Sequence, residues 1–141
     1  PIIASLKPEI IVSVHGVDVH YLDPLTHMSC TLNTLYQIPY IIKSLADTYT
    51  NGKVMMFGGG GYNIWKVVPR AWSHVFLALI EAPPPQGQLP SQWLEKWQPY
   101  ATCTLPKHWQ DDKENYIDIP REEEITATNL KHAQQVISWF K

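Results

Sequence analysis

Two short apolar segments, each followed by a loop and a helical pattern, constrain the fold of this chain most. The first, residues 9–14, reads Glu-Ile-Ile-Val-Ser-Val, and the second, residues 53–57, reads Lys-Val-Met-Met-Phe. Short runs of this kind are typical of strands that are buried on both faces of a parallel sheet. Parallel strands need a crossover connection, so the order strand, helix, strand, helix predicts part of an open, mostly parallel α/β sheet.

The helical patterns set further expectations. The first helix is predicted to have Pro39 in its first turn, where a missing N–H costs little, and to end at Asn51-Gly52. Its predicted apolar stripe is Ile38, Ile41, Ile42, Leu45 and Tyr49. The second helix is predicted to start within residues 63–69. Its predicted apolar face is Trp65, Val68, Trp72, Phe76 and Leu79.

Residues 83–141 differ in character from residues 1–82, which predicts two parts. Seven of the twelve prolines lie after residue 82, and residues 83–87 read as a stiff, exposed connector. Helices are predicted for residues 91–97 and 128–140. We expect this Pro/Trp-rich tail to pack against a larger body, with no chemistry of its own.

Composition excludes several classes of function. A net charge of -2 with no basic run argues against a nucleic-acid partner. No apolar stretch approaches the roughly 18 residues of a membrane span, so no membrane partner is expected. Two cysteines far apart in sequence, Cys30 and Cys103, fit a reduced, cytoplasmic protein better than a disulfide scaffold. Because the chain starts at Pro1 and two strands cannot bury a sheet, we expect a missing N-terminal part to be its partner.

The loop after the first predicted strand is rich in potential metal ligands. His15, Asp18, His20 and Asp23 lie within nine residues, and imidazoles with carboxylates are the ligands of zinc or iron(II) sites. The alternative is that Asp18 caps a turn, Asp23 starts an Asp-Pro turn and the histidines are solvated. Ligand density alone leaves both interpretations open.

Four glycines, residues 58–61, follow the second predicted strand and precede Tyr62. Glycines allow a backbone to approach a ligand closely, but no Lys-Ser/Thr follows, and the dinucleotide spacing ends in Asn63 rather than glycine. This excludes the two common phosphate-binding motifs. We expect the Tyr62 phenol to point to the same rim as Asp23, where it could stabilise an oxyanion.

Together, Asp-Val-His-Tyr-Leu-Asp-Pro-Leu at residues 18–25 and Gly-Gly-Gly-Gly-Tyr-Asn at residues 58–63 resemble the zinc-dependent histone deacetylase superfamily. The resemblance is closest to the C-terminal part of its bacterial acetoin utilisation proteins. It includes residues 67–72 and extends more loosely through residues 93–99. It implies the arginase/deacetylase fold.

The resemblance also implies roles for individual residues. Asp23 matches one of three zinc ligands, and Tyr62 matches the tyrosine that binds the scissile carbonyl oxygen. Gly59, Gly60 and Gly61 match the glycines that line the substrate channel, and Cys30 matches a position at the lip of that channel. Asp18 and His20 are expected to shape the loop around the site.

The implied activity is hydrolysis of the amide of an acyl-lysine, with acetylated metabolic proteins in acetoin and acetyl-coenzyme A metabolism as substrates. The chain has no tandem histidine pair, and the resemblance implies that the other two zinc ligands, an Asp and a His, come from an earlier loop that this chain does not contain, so we expect it to be inactive alone. One alternative is a non-catalytic module that binds a small acyl ligand or a protein. Another is an amidohydrolase of the same fold that acts on acylated polyamines.

Overall fold

The computed structural model describes residues 1–26, 28–116 and 118–140, so His27, Ile117 and Lys141 lie outside the described residues. Five α-helices, two strands and two short 3-10 turns are assigned there. The helices are α1 (Ile2–Leu6), α2 (Leu32–Tyr49), α3 (Val68–Leu79), α4 (Ser91–Trp97) and α5 (Glu122–Ser138). The strands are β1 (Ile11–His15) and β2 (Val54–Gly58), and the turns are Gln98–Tyr100 and Lys113–Asn115.

The two strands pair in parallel, with Ile11 opposite Val54 and His15 opposite Gly58. Helix α2 is the crossover between them, which confirms the predicted α/β arrangement. Both strands end at the same edge of the sheet, and the loops that follow them are joined there by a hydrogen bond from Val17 N to Gly60 O of 2.7 Å. One face of the sheet is left exposed, since Val14 is 69% exposed.

Helix α2 corrects two predictions. It begins at Leu32, after the side chain of Thr31 accepts a hydrogen bond from Thr34 N, so Pro39 lies inside the helix and not in its first turn. The predicted stripe is not the covered face, because Ile38 and Ile41 are exposed. The buried residues are Leu32, Leu35, Tyr36, Pro39 and Ala46. Both sides of α2 are apolar, and periodicity cannot tell which side this chain covers. The predicted turn at its end is confirmed, with Asn51 and Gly52 both at positive φ.

The predicted face of helix α3 is confirmed in part, since Val68 and Trp72 are partly buried and pack against the core. Phe76 is 59% exposed, and the buried residues are Arg70, Ala71, His74, Val75 and Ala78. α3 packs on α2, and the two small alanines permit a close approach between the helices. The core cluster lies beneath the strand ends and consists of Val17, Leu32, Leu35, Val67 and Ala71.

In the tail, α4 spans the predicted residues, whereas α5 begins six residues earlier than expected. Three glutamates in its first turn, residues 122–124, favour that start by interacting with the helix dipole. Among the described residues, the tail contributes two buried hydrophobic side chains, Leu89 and Leu105. The division of the chain at residue 82 stays a prediction. Among the residues described, no helix has the length and apolarity needed to cross a bilayer.

Candidate metal and catalytic site

The Asp23 carboxylate lies in the loop after β1 and is 5% exposed. Its Oδ1 accepts a hydrogen bond from Leu25 N at 2.9 Å. Its Oδ2 accepts from Tyr62 N at 2.8 Å and from Asn63 N at 3.3 Å, both in the loop after β2. The carboxylate therefore joins the two loops that the parallel strands bring to one edge of the sheet.

These hydrogen bonds determine the charge of Asp23. Burial by itself would raise the pKa of the carboxyl, but the amides of Leu25, Tyr62 and Asn63 donate to it and hold its pKa below the ordinary value of 3.8. Asp23 is thus ionised at neutral pH. A carboxylate oxygen offers about two lone pairs, so Oδ2 is fully used and Oδ1 keeps acceptor capacity.

Tyr62 is brought beside Asp23 through its backbone, while its side chain is about half exposed. The tyrosine borders an open cleft of about 350 Å³, which Pro24 and Trp65 line from the first part of the chain and Cys103 from the tail. The structure therefore brings together the two residues to which the sequence assigns chemistry. The phenol reaches solvent from a loop whose backbone is held by a buried carboxylate.

The glycines after β2 are required by the packing of one loop on the other. A Cβ added to Gly59 would lie 2.9 Å from both N and Cα of Gly16, and one added to Gly60 would collide with the Asp18 carboxylate. At Gly61 a Cβ would lie 2.6 Å from Cγ2 of Val17. Asp18 therefore packs on the glycine loop, and its backbone O accepts a hydrogen bond from the Thr26 hydroxyl. The lining of a substrate channel by these glycines stays a prediction.

Two other predicted residues have local partners. The His15 ring is buried at the end of β1, and its Nε2 lies 2.9 Å from the Ser13 hydroxyl; burial lowers its pKa. Cys30 is a half-buried free thiol whose pKa is raised by burial. The backbone N–H of Cys30 donates to Val19 O at 3.0 Å, which closes the loop. The place of Cys30 at a channel lip stays a prediction.

His20 is not solvated; it is fully buried against a residue of the tail. Its Nε2 lies 3.1 and 3.2 Å from the two carboxylate oxygens of Asp111. Asp111 also accepts from Leu32 N at 2.8 Å and lies 3.5 Å from the Arg70 guanidinium. The expectation that the tail has no chemistry of its own overlooked this cluster. Asp111 is in an irregular stretch without periodicity, and an aspartate there gives no sequence signal of burial.

Of the side chains in these two loops, the described residues provide one that has the properties of a zinc ligand. In the described ranges no group of three His, Cys, Asp or Glu side chains is arranged to hold a metal ion. Asp23 has the properties of a single ligand, because it is ionised, held in place by backbone amides and retains acceptor capacity at Oδ1. His15 and His20, the two described imidazoles of this loop, are both hydrogen-bonded elsewhere.

Comparison with known proteins identifies the family of this chain. Residues 1–79 match the histone deacetylase domain family. The chain is 79% identical over 141 residues to the acetoin utilization protein AcuC of Staphylococcus xylosus, covering 100% of this chain and 37% of that protein. It is 58% identical to AcuC of Staphylococcus aureus (strain MRSA252), covering all of this chain and 36% of the relative. With AcuC of Bacillus subtilis (strain 168) it shares 41% over 134 residues, which is 95% of this chain and 34% of the relative. The chain thus spans about a third of the length of the curated relatives that it matches.

Proposed function

Because the chain belongs to the histone deacetylase family, we propose that it is part of the catalytic domain of a zinc-dependent deacylase that hydrolyses the amide of an acyl-lysine. One observation carries the proposal. The buried, ionised carboxylate of Asp23 is bound by the backbone amide of Tyr62, which places a candidate metal ligand directly beside a candidate oxyanion donor.

Asp23 would hold the metal with its carboxylate. Bound zinc polarises a carbonyl and lowers the pKa of a coordinated water to about 7. The amides of Leu25, Tyr62 and Asn63 orient Asp23 and keep it ionised, as partners of metal ligands commonly do. The described residues supply one ligand, so the other ligands and the general base would come from the remainder of a protein as long as the relatives.

The hydroxyl of Tyr62 would donate a hydrogen bond to the carbonyl oxygen of the substrate as negative charge develops on that oxygen. The side chain is free to do this because its exposed ring extends from a loop whose backbone Asp23 holds. Loss of one such donor typically costs about 2.7–4 kcal/mol of barrier stabilisation. The tight packing of Gly59 and Gly60 on the first loop supports this role, because it fixes the backbone that presents the tyrosine.

The proposed substrate is an acetylated lysine on a metabolic protein. The relatives are named for acetoin utilization, which associates them with acetyl-group metabolism. The chain by itself, with one ligand in place, is proposed to be inactive.

The test uses the full-length protein that contains this chain. After zinc loading, it should release acetate from an acetyl-lysine peptide, lose that activity with a chelator and regain it with zinc. An N-acetylated polyamine is assayed in parallel, and preference for it would identify the substrate as a small acylated amine instead. If the zinc-loaded protein hydrolyses neither compound, the deacylase proposal is wrong and the chain belongs to a binding module.

A further inference from the structure

The Asp111 carboxylate connects three separate parts of the chain in one buried cluster. Its side chain is 1% exposed, and that of Arg70, 3.5 Å away, is 5% exposed. It accepts a hydrogen bond from Leu32 N at the start of α2, across 79 residues of sequence. It also meets His20, across 91 residues. Arg70 strengthens the connection by donating to the backbone oxygens of His108 and Gln110 at 3.2 and 2.9 Å.

The hydrogen bonds of His20 assign its tautomer. Leu22 N donates to Nδ1 of the ring at 3.1 Å, so Nδ1 carries no proton. In a neutral imidazole the other nitrogen is then the donor. Nε2–H therefore donates to Asp111. The ring thus links the Asp111 carboxylate to the backbone amide of Leu22 through two hydrogen bonds.

Leu22 immediately precedes Asp23. The backbone N–H of Asp23 donates to His20 O at 2.9 Å, and Leu22 O accepts from the Asn63 side chain at 2.9 Å. The segment of residues 20–23 is thus held from the tail on one side and from the glycine loop on the other. The orientation of the Asp23 carboxylate depends on both.

We propose that Asp111 is a positioning residue for Asp23, acting through the His20 ring and the Leu22 amide. This proposal rests on the proposed role of Asp23 as a zinc ligand. On this proposal the tail contributes to the metal site, although no motif in its sequence indicates such a role. Outer partners that orient a metal ligand commonly change metal affinity by 10–100-fold when they are lost.

A purely structural role for Asp111 is the alternative. In that case the carboxylate would only attach the tail to α2 and α3 through Leu32 and Arg70. The two roles differ in one link, the hydrogen bond between the His20 ring and Leu22. Stability alone cannot separate them, whereas the zinc affinity of the folded protein can.

The experiment measures the dissociation constant for zinc by chelator competition in the full-length protein, well below its unfolding temperature. Asp111→Asn should weaken binding about tenfold or more. His20→Gln keeps a donor that can reach Asp111 but removes the acceptor for Leu22 N–H, and it should weaken binding in the same direction while leaving the contacts of Asp111 with Leu32 and Arg70. Asp112→Asn is the matched control, because it removes the same charge at an exposed neighbouring position, and it should change the constant less than twofold.

A zinc constant within twofold of the wild type for both Asp111→Asn and His20→Gln would overturn the proposal, even if Asp111→Asn lowers the unfolding temperature. If Asp111→Asn does not fold, His20→Gln decides by the same criterion. A wild-type protein that binds no stoichiometric zinc would refute the proposed function, and this inference with it. Zinc binding by the wild type without an effect of the variants refutes only the inference.

Discussion

The backbone amide of Tyr62 donates a 2.8 Å hydrogen bond to the carboxylate of Asp23, across 39 residues of sequence. The two residues follow different strands, and the parallel pairing of β1 and β2 brings their loops together. The contact uses the main chain of Tyr62 and leaves its phenol available. Substitution of the phenol should therefore leave Asp23 in place, whereas substitution of Asp23 should disturb the loop that carries Tyr62.

The first prediction follows for Tyr62→Phe in the full-length protein. The variant keeps the ring and the amide bound to Asp23 but lacks the hydroxyl donor. Because this donor is proposed to act on the charge that develops in the transition state, kcat on an acetyl-lysine peptide should fall about 100-fold or more, with a smaller change in KM. Zinc content should equal that of the wild type. Steady-state kinetics with metal analysis of the same samples measures both.

Tyr100→Phe is the matched control, because Tyr100 is 71% exposed and lies in the tail. Its kcat should stay within twofold of the wild-type value. Near-normal turnover of Tyr62→Phe would remove the hydroxyl from the mechanism and leave Tyr62 as a residue of the turn.

The second prediction concerns Asp23→Asn. The Asn side chain has one acceptor oxygen and an NH2 group that only donates, so it cannot accept from Leu25 N on one side and from Tyr62 N and Asn63 N on the other. A buried polar group that loses its partner costs about 1–3 kcal/mol, so the metal-free variant should be less stable by that amount in urea unfolding. Zinc content and activity should be lost together. Retention of stoichiometric zinc would show that Asp23 is not a ligand.

The sequence was sufficient to predict the parallel strands and the positions of Asp23 and Tyr62, because each is marked by a local pattern. A short apolar run that leads into a loop is typical of a buried strand, and ligands in open α/β sheets gather at the strand ends. The faces of the helices were not predictable in this way. Ile41 in α2 and Phe76 in α3 lie on apolar sides that this chain leaves exposed.

The role of the tail shows a second limit. Asp111 meets His20 across 91 residues, and no periodicity or motif joins the two positions. Pro39 was misplaced for a local reason, because α2 begins at Leu32 after the Thr31 cap, well before its predicted apolar stripe starts at Ile38. Long-range pairing of polar groups is a product of tertiary packing, and a single sequence carries no direct record of it.

The third prediction tests the packing of the two loops. In Gly59→Ala the new Cβ would lie 2.9 Å from backbone atoms of Gly16, which cannot rotate away as a side chain can. Overpacking of this kind costs about 1–3 kcal/mol, and the displaced loop carries Tyr62. Both the free energy of unfolding and the affinity for zinc should therefore fall. Urea unfolding and chelator competition on the full-length protein measure them.

Gly87→Ala provides the comparison for Gly59→Ala. Gly87 has a φ of +75°, and a Cβ there meets nothing within 4 Å, so the substitution costs only backbone strain of about 1–2 kcal/mol. It should reduce stability without changing zinc affinity. An equal loss of zinc affinity in both variants would mean that the effect at Gly59 is not local to the site.

The last prediction is the pH dependence of the stability that Asp111 provides. Burial would raise the pKa of Asp111, but the hydrogen bonds from His20 and Leu32 N and the charge of Arg70 hold its pKa below the ordinary value of 3.8. Tyr21, which also faces it, stays uncharged because burial and Asp111 raise the pKa of its phenol to about 12. A carboxyl with a lowered pKa in the folded state stabilises the protein above its unfolded-state pKa. That contribution disappears as the pH falls from about 4 through the lower, folded-state pKa.

Asp111→Asn should therefore destabilise the metal-free, full-length protein most at pH 5–7, by about 3 kcal/mol, since the substitution leaves the buried Arg70 without its partner. The difference from the wild type should shrink as the pH is lowered from 4 towards 3, because the Asp111 carboxyl of the unfolded wild-type chain then takes up a proton before that of the folded protein does. Urea unfolding at pH 7, 5, 4 and 3 measures it, with the exposed Asp112→Asn variant expected to stay within about 0.5 kcal/mol of the wild type at each pH. A difference for Asp111→Asn that is constant from pH 7 to pH 3 would show that the charge of Asp111 does not contribute, and that the carboxylate stabilises the cluster only through its shape.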